Sequence, residues 1–378
     1  MTPLRLLVVF GTRPEAIKMA PVVLELQRRP DVECIVCVTG QHRQLLDDAL
    51  RSFGIEPHHD LEIMRPGQTL ASVTAGVLDK LTPVLETIAP DRVLVHGDTT
   101  TTFSAALACF YSGVPVGHVE AGLRTRNLKS PWPEEFNRQT VDVLADLLWA
   151  PTDCAAEALR RDGACANNIR VTGNTVIDAL RIVRDRIASD DRLQAGLWSR
   201  LPNLDASAKL ILVTGHRREN FGDGLVNTCN ALNRLAERRD VEIIWPVHPN
   251  PNVLKAVEAE LTPSANVHLV PPQDYFSFVA LMMRATLIIT DSGGIQEEAP
   301  ALGKPVLVTR QETERPEAIS AGTAKLVGTA ARGLFDAASG LLDDEAAYAR
   351  MSQARNPFGD GFASKRIVDH ILERHGLV

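Results

Sequence analysis

The sequence predicts an α/β fold of two doubly wound, Rossmann-like domains facing a central cleft. Three observations predict it. Short apolar runs rich in β-branched residues recur along the 378 residues, each followed by a polar loop and a helical pattern. The series breaks near residues 180–205 and then starts again. The composition, 45% hydrophobic and 23% charged, suits two globular cores of ordinary size and argues against long disordered regions.

In the first half, residues 6–10, 34–39, 92–96, 114–119 and 147–150 read as strands. Helical patterns cover residues 17–28, 43–52, 70–88, 101–112 and 136–144. Such alternation implies a parallel sheet with crossover helices. In the second half, strands are expected at 210–214, 242–247, 267–270, 287–290 and 306–309, with helices at 224–236, 253–261, 276–284 and 295–302. Residues 178–197 read as a helical linker or pendant helix, and a last helix at about 364–375 is placed to cross back onto the first domain. The expected domains are residues 1–180 with 364–378, and residues 205–360.

Several function classes are disfavoured. The net charge of -7 argues against a general nucleic-acid binder. Apolar runs such as 4–10 and 210–214 are too short to span a bilayer, and the N-terminus does not read as a secretory signal. The six cysteines are scattered; Cys34 and Cys37, three apart on a strand, point to opposite faces and cannot chelate one metal. A reducing, cytoplasmic setting is expected. The chain has no GxGxxG after a strand, no GxxxxGK[ST] and no GxSxG, which disfavours bound NAD, a P-loop NTPase and a serine hydrolase.

Chemistry is expected where loops leave the carboxyl ends of strands. The most informative loop is Ser292-Gly293-Gly294, which opens a helix after the strand at 287–290. Its glycines would let a phosphate approach bare backbone N–H groups, with the helix dipole favouring negative charge. Glu297 and Glu298 follow, and an acid there suits a ribose diol. An ordinary strand–turn–helix is the plain alternative.

The loop after the first strand carries Arg13, with Lys18 one turn into the helix, two cations for an anion. Asp98 follows the third strand, where its other role would be a helix cap. Glu120 follows the fourth strand. Glu134 and Arg138 share one helix face, and an i,i+4 salt bridge between them is the alternative. Three acids at the mouth of one sheet fit shared proton transfer. No compact metal-ligand spacing accompanies them. In the second half, His216, Arg217 and Arg218 would face a diphosphate leaving group, His216 as proton donor. His248 sits among prolines as a structural corner, and Arg315 is a further candidate anion contact.

Together these segments resemble the non-hydrolysing UDP-N-acetylglucosamine 2-epimerases. The matching stretches are Phe10-Gly-Thr-Arg-Pro-Glu-Ala-Ile-Lys-Met-Ala-Pro21, Thr39-Gly-Gln-His-Arg-Gln44, His96-Gly-Asp-Thr-Thr100, His118-Val-Glu-Ala-Gly-Leu-Arg124 and Pro131-Trp-Pro-Glu-Glu135. They continue through Val171-Thr-Gly-Asn-Thr175, Gly215-His-Arg-Arg-Glu-Asn220, Asp291-Ser-Gly-Gly-Ile-Gln-Glu-Glu298 and Glu314-Arg-Pro-Glu317.

The resemblance implies a GT-B-like pair of Rossmann-type domains in a homodimer that interconverts UDP-GlcNAc and UDP-ManNAc through UDP elimination and re-addition, without metal or NAD. It implies catalytic roles for Lys18, Asp98, Glu120, Glu134, Arg138 and His216. Substrate contacts are implied at Arg13, Phe276, Ser292, Gly293, Gly294, Glu298 and Arg315. An activating UDP-GlcNAc site is implied at Gln41, His42, Gln44, Glu135 and Arg217. The family's Arg before the Gln-Thr-Leu matching Gln68-Thr69-Leu70 is Gly67 here, and Arg65 is expected to substitute. A hydrolysing epimerase, a GT-B glycosyltransferase and a nucleotide-sugar sensor remain as alternatives.

Overall fold

The computed structural model describes residues 2–40, 43–65, 67–215 and 222–377, apart from the side chains of residues 43–45 and 252. Among the described residues two parallel sheets form the frame. The first comprises β1 (Leu4–Phe10), β2 (Val32–Val38), β3 (His59–Asp60), β4 (Arg92–His96), β5 (Val116–Val119), β6 (Leu147–Ala150) and β7 (Ile169–Val171). The second comprises β8 (Lys209–Thr214), β9 (Val241–Pro246), β10 (Val267–Val270), β11 (Leu287–Thr290), β12 (Val306–Val308) and β13 (Ala324–Leu326). Their orders are β3-β2-β1-β4-β5-β6-β7 and β10-β9-β8-β11-β12-β13. Both are doubly wound: the chain returns to the centre of the sheet between β1 and β4, and between β8 and β11. Crevices for ligands open at such switch points, at the carboxyl ends of the strands.

The central strands are apolar because crossover helices cover both faces of a parallel sheet. Leu6, Leu7, Val8, Val9 and Phe10 are all buried, each worth roughly 1.5–3 kcal/mol of transfer energy. The helix Leu70–Ile88 buries Val73, Val77, Leu81, Leu85 and Ile88, a stripe at helical spacing. Strands β3, β7 and β13 were not expected. They are two or three residues long and partly exposed, so they carry no apolar run to mark them.

The chain forms two compact units, one of residues up to Ala179 with those from Phe358 on, the other of Leu180–Pro357. The expected single helix at 178–197 is two helices, Thr175–Ser189 and Asp191–Trp198. Asp190 interrupts them and caps the second, accepting from Arg192 N and Leu193 N at 3.0 and 2.9 Å. The last helix, Ala363–Arg374, packs on Arg13–Gln27 in the first unit. Asp178 caps it from a distance in sequence, accepting from Ala363 N and Ser364 N at 3.0 and 2.8 Å. Among the described residues no helix is long and apolar enough to cross a membrane.

Candidate functional site

In the first unit the crevice is built from the loops after β1, β4 and β5. Thr12 caps the helix Arg13–Gln27 in a reciprocal capping box with Glu15, and Pro14 lies in its first turn. Gly11 is required by space: a Cβ there would come within 2.0 Å of Thr39 Oγ1 and 2.6 Å of Thr101 Oγ1. Glu15 is buried and accepts from Gly11 N (3.1 Å), Thr12 N (2.7 Å), Thr99 Oγ1 (2.7 Å) and Thr102 Oγ1 (2.9 Å). One carboxylate therefore ties the loop carrying Arg13 to the loop carrying Asp98. Arg13 itself is exposed.

Lys18 reaches Glu120 and forms an ion pair with its Oε1. Asn174 Nδ2 donates to the same oxygen at 2.7 Å. Glu120 adopts a left-handed backbone conformation (φ 67°), which side-chain-bearing residues rarely take. Gly97, at φ 69°, leaves room for it: a Cβ on Gly97 would touch Glu120 Oε2 at 3.4 Å. His96 Nε2 lies 3.5 Å from that second oxygen.

The helix cap after β4 is Thr99, whose side chain accepts from Thr102 N, so the alternative capping role for Asp98 does not apply. Asp98 Oδ2 instead receives Arg138 NH2 at 2.6 Å. Among the described residues Arg138 does not pair with Glu134 as an i,i+4 bridge; it also lies 3.6 Å from Glu135. A guanidinium turned toward the neighbouring strand end gains a second carboxylate there, which a solvated pair along the helix would not supply. Burial pushes the Asp98 carboxyl above its ordinary range; Arg138 and Lys18 oppose this, while Glu120 and Glu134 add to it. Glu134 has a buried oxygen, Oε2, without a hydrogen-bond partner among the described residues. The arrangement brings Lys18, Asp98, Glu120, Glu134 and Arg138 into one electrostatic cluster.

Behind the cluster, His118 donates or accepts through both nitrogens: Nδ1 lies 2.6 Å from Asp142 Oδ1 and Nε2 2.7 Å from the Gly97 carbonyl. Arg124 NH1 reaches Asp142 Oδ2 at 2.7 Å. This network fixes the turn that carries Asp98.

In the second unit, Ser292 opens the helix Gly293–Ala301 and makes no side-chain capping bond, so the first N–H groups lack a side-chain partner from their cap. Thr290 Oγ1 accepts from Ser292 N at 2.9 Å and meets Thr214 Oγ1 at 2.6 Å, joining the ends of β8 and β11. Glu298 accepts from the Tyr275 hydroxyl at 2.8 Å, and burial together with Glu298 holds that phenol protonated well above its ordinary range. Glu297 is buried and paired with Arg315, so this guanidinium has a carboxylate partner of its own. Phe276 is buried, with the Arg186 guanidinium 5.5 Å from its ring centroid.

Of the remaining expected positions, Arg65 is exposed. Glu135 is fully buried and accepts from Thr125 N (3.0 Å), Arg126 N (2.9 Å) and Gln139 Nε2 (2.6 Å). Gln44 lies in the helix Arg43–Phe53, its side chain outside those described. Gln41, His42, His216 and Arg217 lie outside the described residues. Sequence reasoning passed over Glu15, His96, Asn174 and Tyr275. The first three stand inside segments quoted for the resemblance, and only their contacts single them out.

The family model described as UDP-N-acetylglucosamine 2-epimerase matches residues 24–372. A curated UDP-N-acetylglucosamine 2-epimerase of Yersinia pestis is 56% identical over 366 residues, 97% of each chain. The crystal structure of the Neisseria meningitidis UDP-GlcNAc 2-epimerase bound to UDP-GlcNAc is 48% identical, with a TM-score of 0.91 over 98% of this chain and 100% of that one. The Methanocaldococcus jannaschii enzyme in complex with UDP-GlcNAc and UDP is 31% identical, with a TM-score of 0.81 over 98% and 99% of the two chains. Sequence, sheet order and site geometry converge: the chain belongs to the UDP-N-acetylglucosamine 2-epimerase family, a family of isomerases.

Proposed function

We propose that the chain interconverts UDP-GlcNAc and UDP-ManNAc reversibly and without hydrolysis. The observation that carries this reading is the coupling of Asp98, Glu120 and Glu134 with Lys18 and Arg138 at the carboxyl ends of β4 and β5. One carboxylate takes the proton from C2 as the C1–O bond breaks. The C2–H electrons become the C1=C2 double bond of a 2-acetamidoglucal, and UDP leaves with the bonding pair. A second acid then returns a proton to C2 from the other face while a UDP oxygen re-forms the bond to C1. The C2 proton is only weakly acidic, so charge developing on the departing UDP must be stabilised. The helix N-terminus at Ser292–Gly294, Arg13 and His216 are assigned that task, and Glu298, oriented by Tyr275, is assigned the ribose. Arg315, paired with Glu297, is assigned as a further contact to the diphosphate.

Gln41, His42, Gln44, Arg65, Glu135 and Arg217 are assigned to an activating UDP-GlcNAc site, Glu135 also holding the 125–126 backbone. Initial rates with UDP-ManNAc should then rise on adding traces of UDP-GlcNAc. Two copies are expected to assemble into a homodimer.

Proton NMR with UDP-GlcNAc in D2O tests the main reading. UDP-ManNAc should accumulate with deuterium at C2 and little free sugar. Release of ManNAc and UDP would move the assignment to hydrolysis, and no turnover without an acceptor would favour a transferase.

A further inference from the structure

His96 ends β4 beside the acid cluster and has no role in the scheme above. The residue is 3% exposed, and among the described residues neither ring nitrogen has a hydrogen-bond partner. A buried polar group left so is costly and calls for a reason. Its Nε2 is 3.5 Å from Glu120 Oε2, close enough for a small rotation to complete a bond. The other Glu120 oxygen is held by Lys18 and Asn174.

The contrast with His118 is informative. In an imidazole, the hydrogen bond made by one nitrogen decides which nitrogen carries the proton. Both nitrogens of His118 are committed, to Asp142 and to the Gly97 carbonyl. Among the described residues, no hydrogen bond to another residue pins the tautomer of His96. With the proton on Nε2, the ring donates to an ionised Glu120. With the proton on Nδ1, Nε2 accepts from a protonated Glu120. A neutral imidazole serves both forms, as a group cycling between base and acid requires.

We propose that His96 is a positioning residue for proton transfer at C2: it offers Glu120 Oε2 either an N–H or a lone pair, according to the protonation state of that carboxyl. The proposal rests on the reading of Glu120 as a group that exchanges a proton with the substrate. The ring stays neutral for it, since burial pushes His96 down to about 3; Glu120 opposes the shift, and Lys18 and His118 add to it.

Two experiments test this. In His96→Leu, kcat should fall roughly 10- to 100-fold with KM within about threefold. His96→Asn, whose amide offers both N–H and C=O, should recover about tenfold of that loss. Equal losses in both variants would reduce His96 to a space-filling role. Independently of folding in the variants, 15N spectra of histidine-labelled wild-type protein should show the His96 proton on Nε2 where Glu120 is ionised and on Nδ1 where it is protonated, while His118 keeps one form. The same His96 tautomer on both sides of the Glu120 titration, or an imidazolium at neutral pH, overturns the proposal. Wild-type protein that converts no UDP-GlcNAc would instead overturn the reading of the function.

Discussion

Glu15 holds the two loops that frame the first crevice with a single carboxylate, two backbone N–H groups on one oxygen and two threonine hydroxyls on the other. Glu15→Gln keeps the shape but turns an NH2 toward donors, leaving buried groups unsatisfied at a cost of about 1–3 kcal/mol. The urea midpoint should fall with an unchanged slope, and kcat should drop, because Asp98 follows the Gly97 turn in the same loop. A midpoint equal to that of the parent would show that the threonine hydroxyls find other acceptors. Residue roles were unevenly legible in the sequence. Asp98 and Glu120 stand directly after apolar runs, so their place at strand ends could be read. Glu15 reads as half of a capping box, and its bonds to Thr99 and Thr102 span 84 and 87 residues, which no local pattern reveals. Arg138 was visible as a cation near Glu134, but its choice of Asp98 is set by how β4 and the helix Glu134–Leu144 pack.

Elements were legible in proportion to their length and burial. The strands at the sheet centres announce themselves as continuous apolar runs, whereas β3, β7 and β13 exist only because a neighbour offers them a ladder. The last helix shows the same dependence on partners. It is capped by Asp178, paired to Arg29 through Asp369 at 2.7 Å, and joined to β6 by Trp149 Nε1 donating to His370 Nδ1 at 3.1 Å. An imidazole that accepts this bond must be unprotonated there. Burial, aided by Arg170, lowers His370 to about 4, against an unfolded value of about 6.5. The unfolded chain therefore binds more protons between these values. Stability from this group is fully present above about pH 6.5 and is lost as pH falls toward 4, with His96 acting in the same direction. His370→Gln keeps an acceptor for the indole and cannot titrate. Its melting temperature should fall less steeply than the parent's over that window in a calorimetric pH series, and parallel curves would dismiss the switch.

At the scale of the molecule, the helices Thr100–Tyr111 and Glu134–Leu144 pack side by side and turn large apolar groups outward. Tyr111 is 72% exposed, Val143 83% and Phe110 61%, and the ring of Phe136 tilts against Phe103 at 5.7 Å. Exposed apolar groups gathered on a folded unit are typical of interaction surfaces. The homodimer rests on the family resemblance alone, because an outward Phe or Val in an amphipathic helix looks the same in sequence as an inward one. The homodimer proposed above is expected to use this face. The helix Glu134–Leu144 carries Glu134 and Arg138 as well as Phe136 and Val143, so covering the outer face is then expected to steady the acid cluster. The double variant Tyr111→Glu, Val143→Glu places charges where an apolar contact is needed. Sedimentation should then give a monomer, and the monomer should turn over more slowly than the parent. UDP binding by calorimetry should persist, since the Ser292–Gly294 turn belongs to the other unit. A variant that remains dimeric would place the interface elsewhere, and a monomer with full kcat would show that the acid cluster needs no partner to hold its shape.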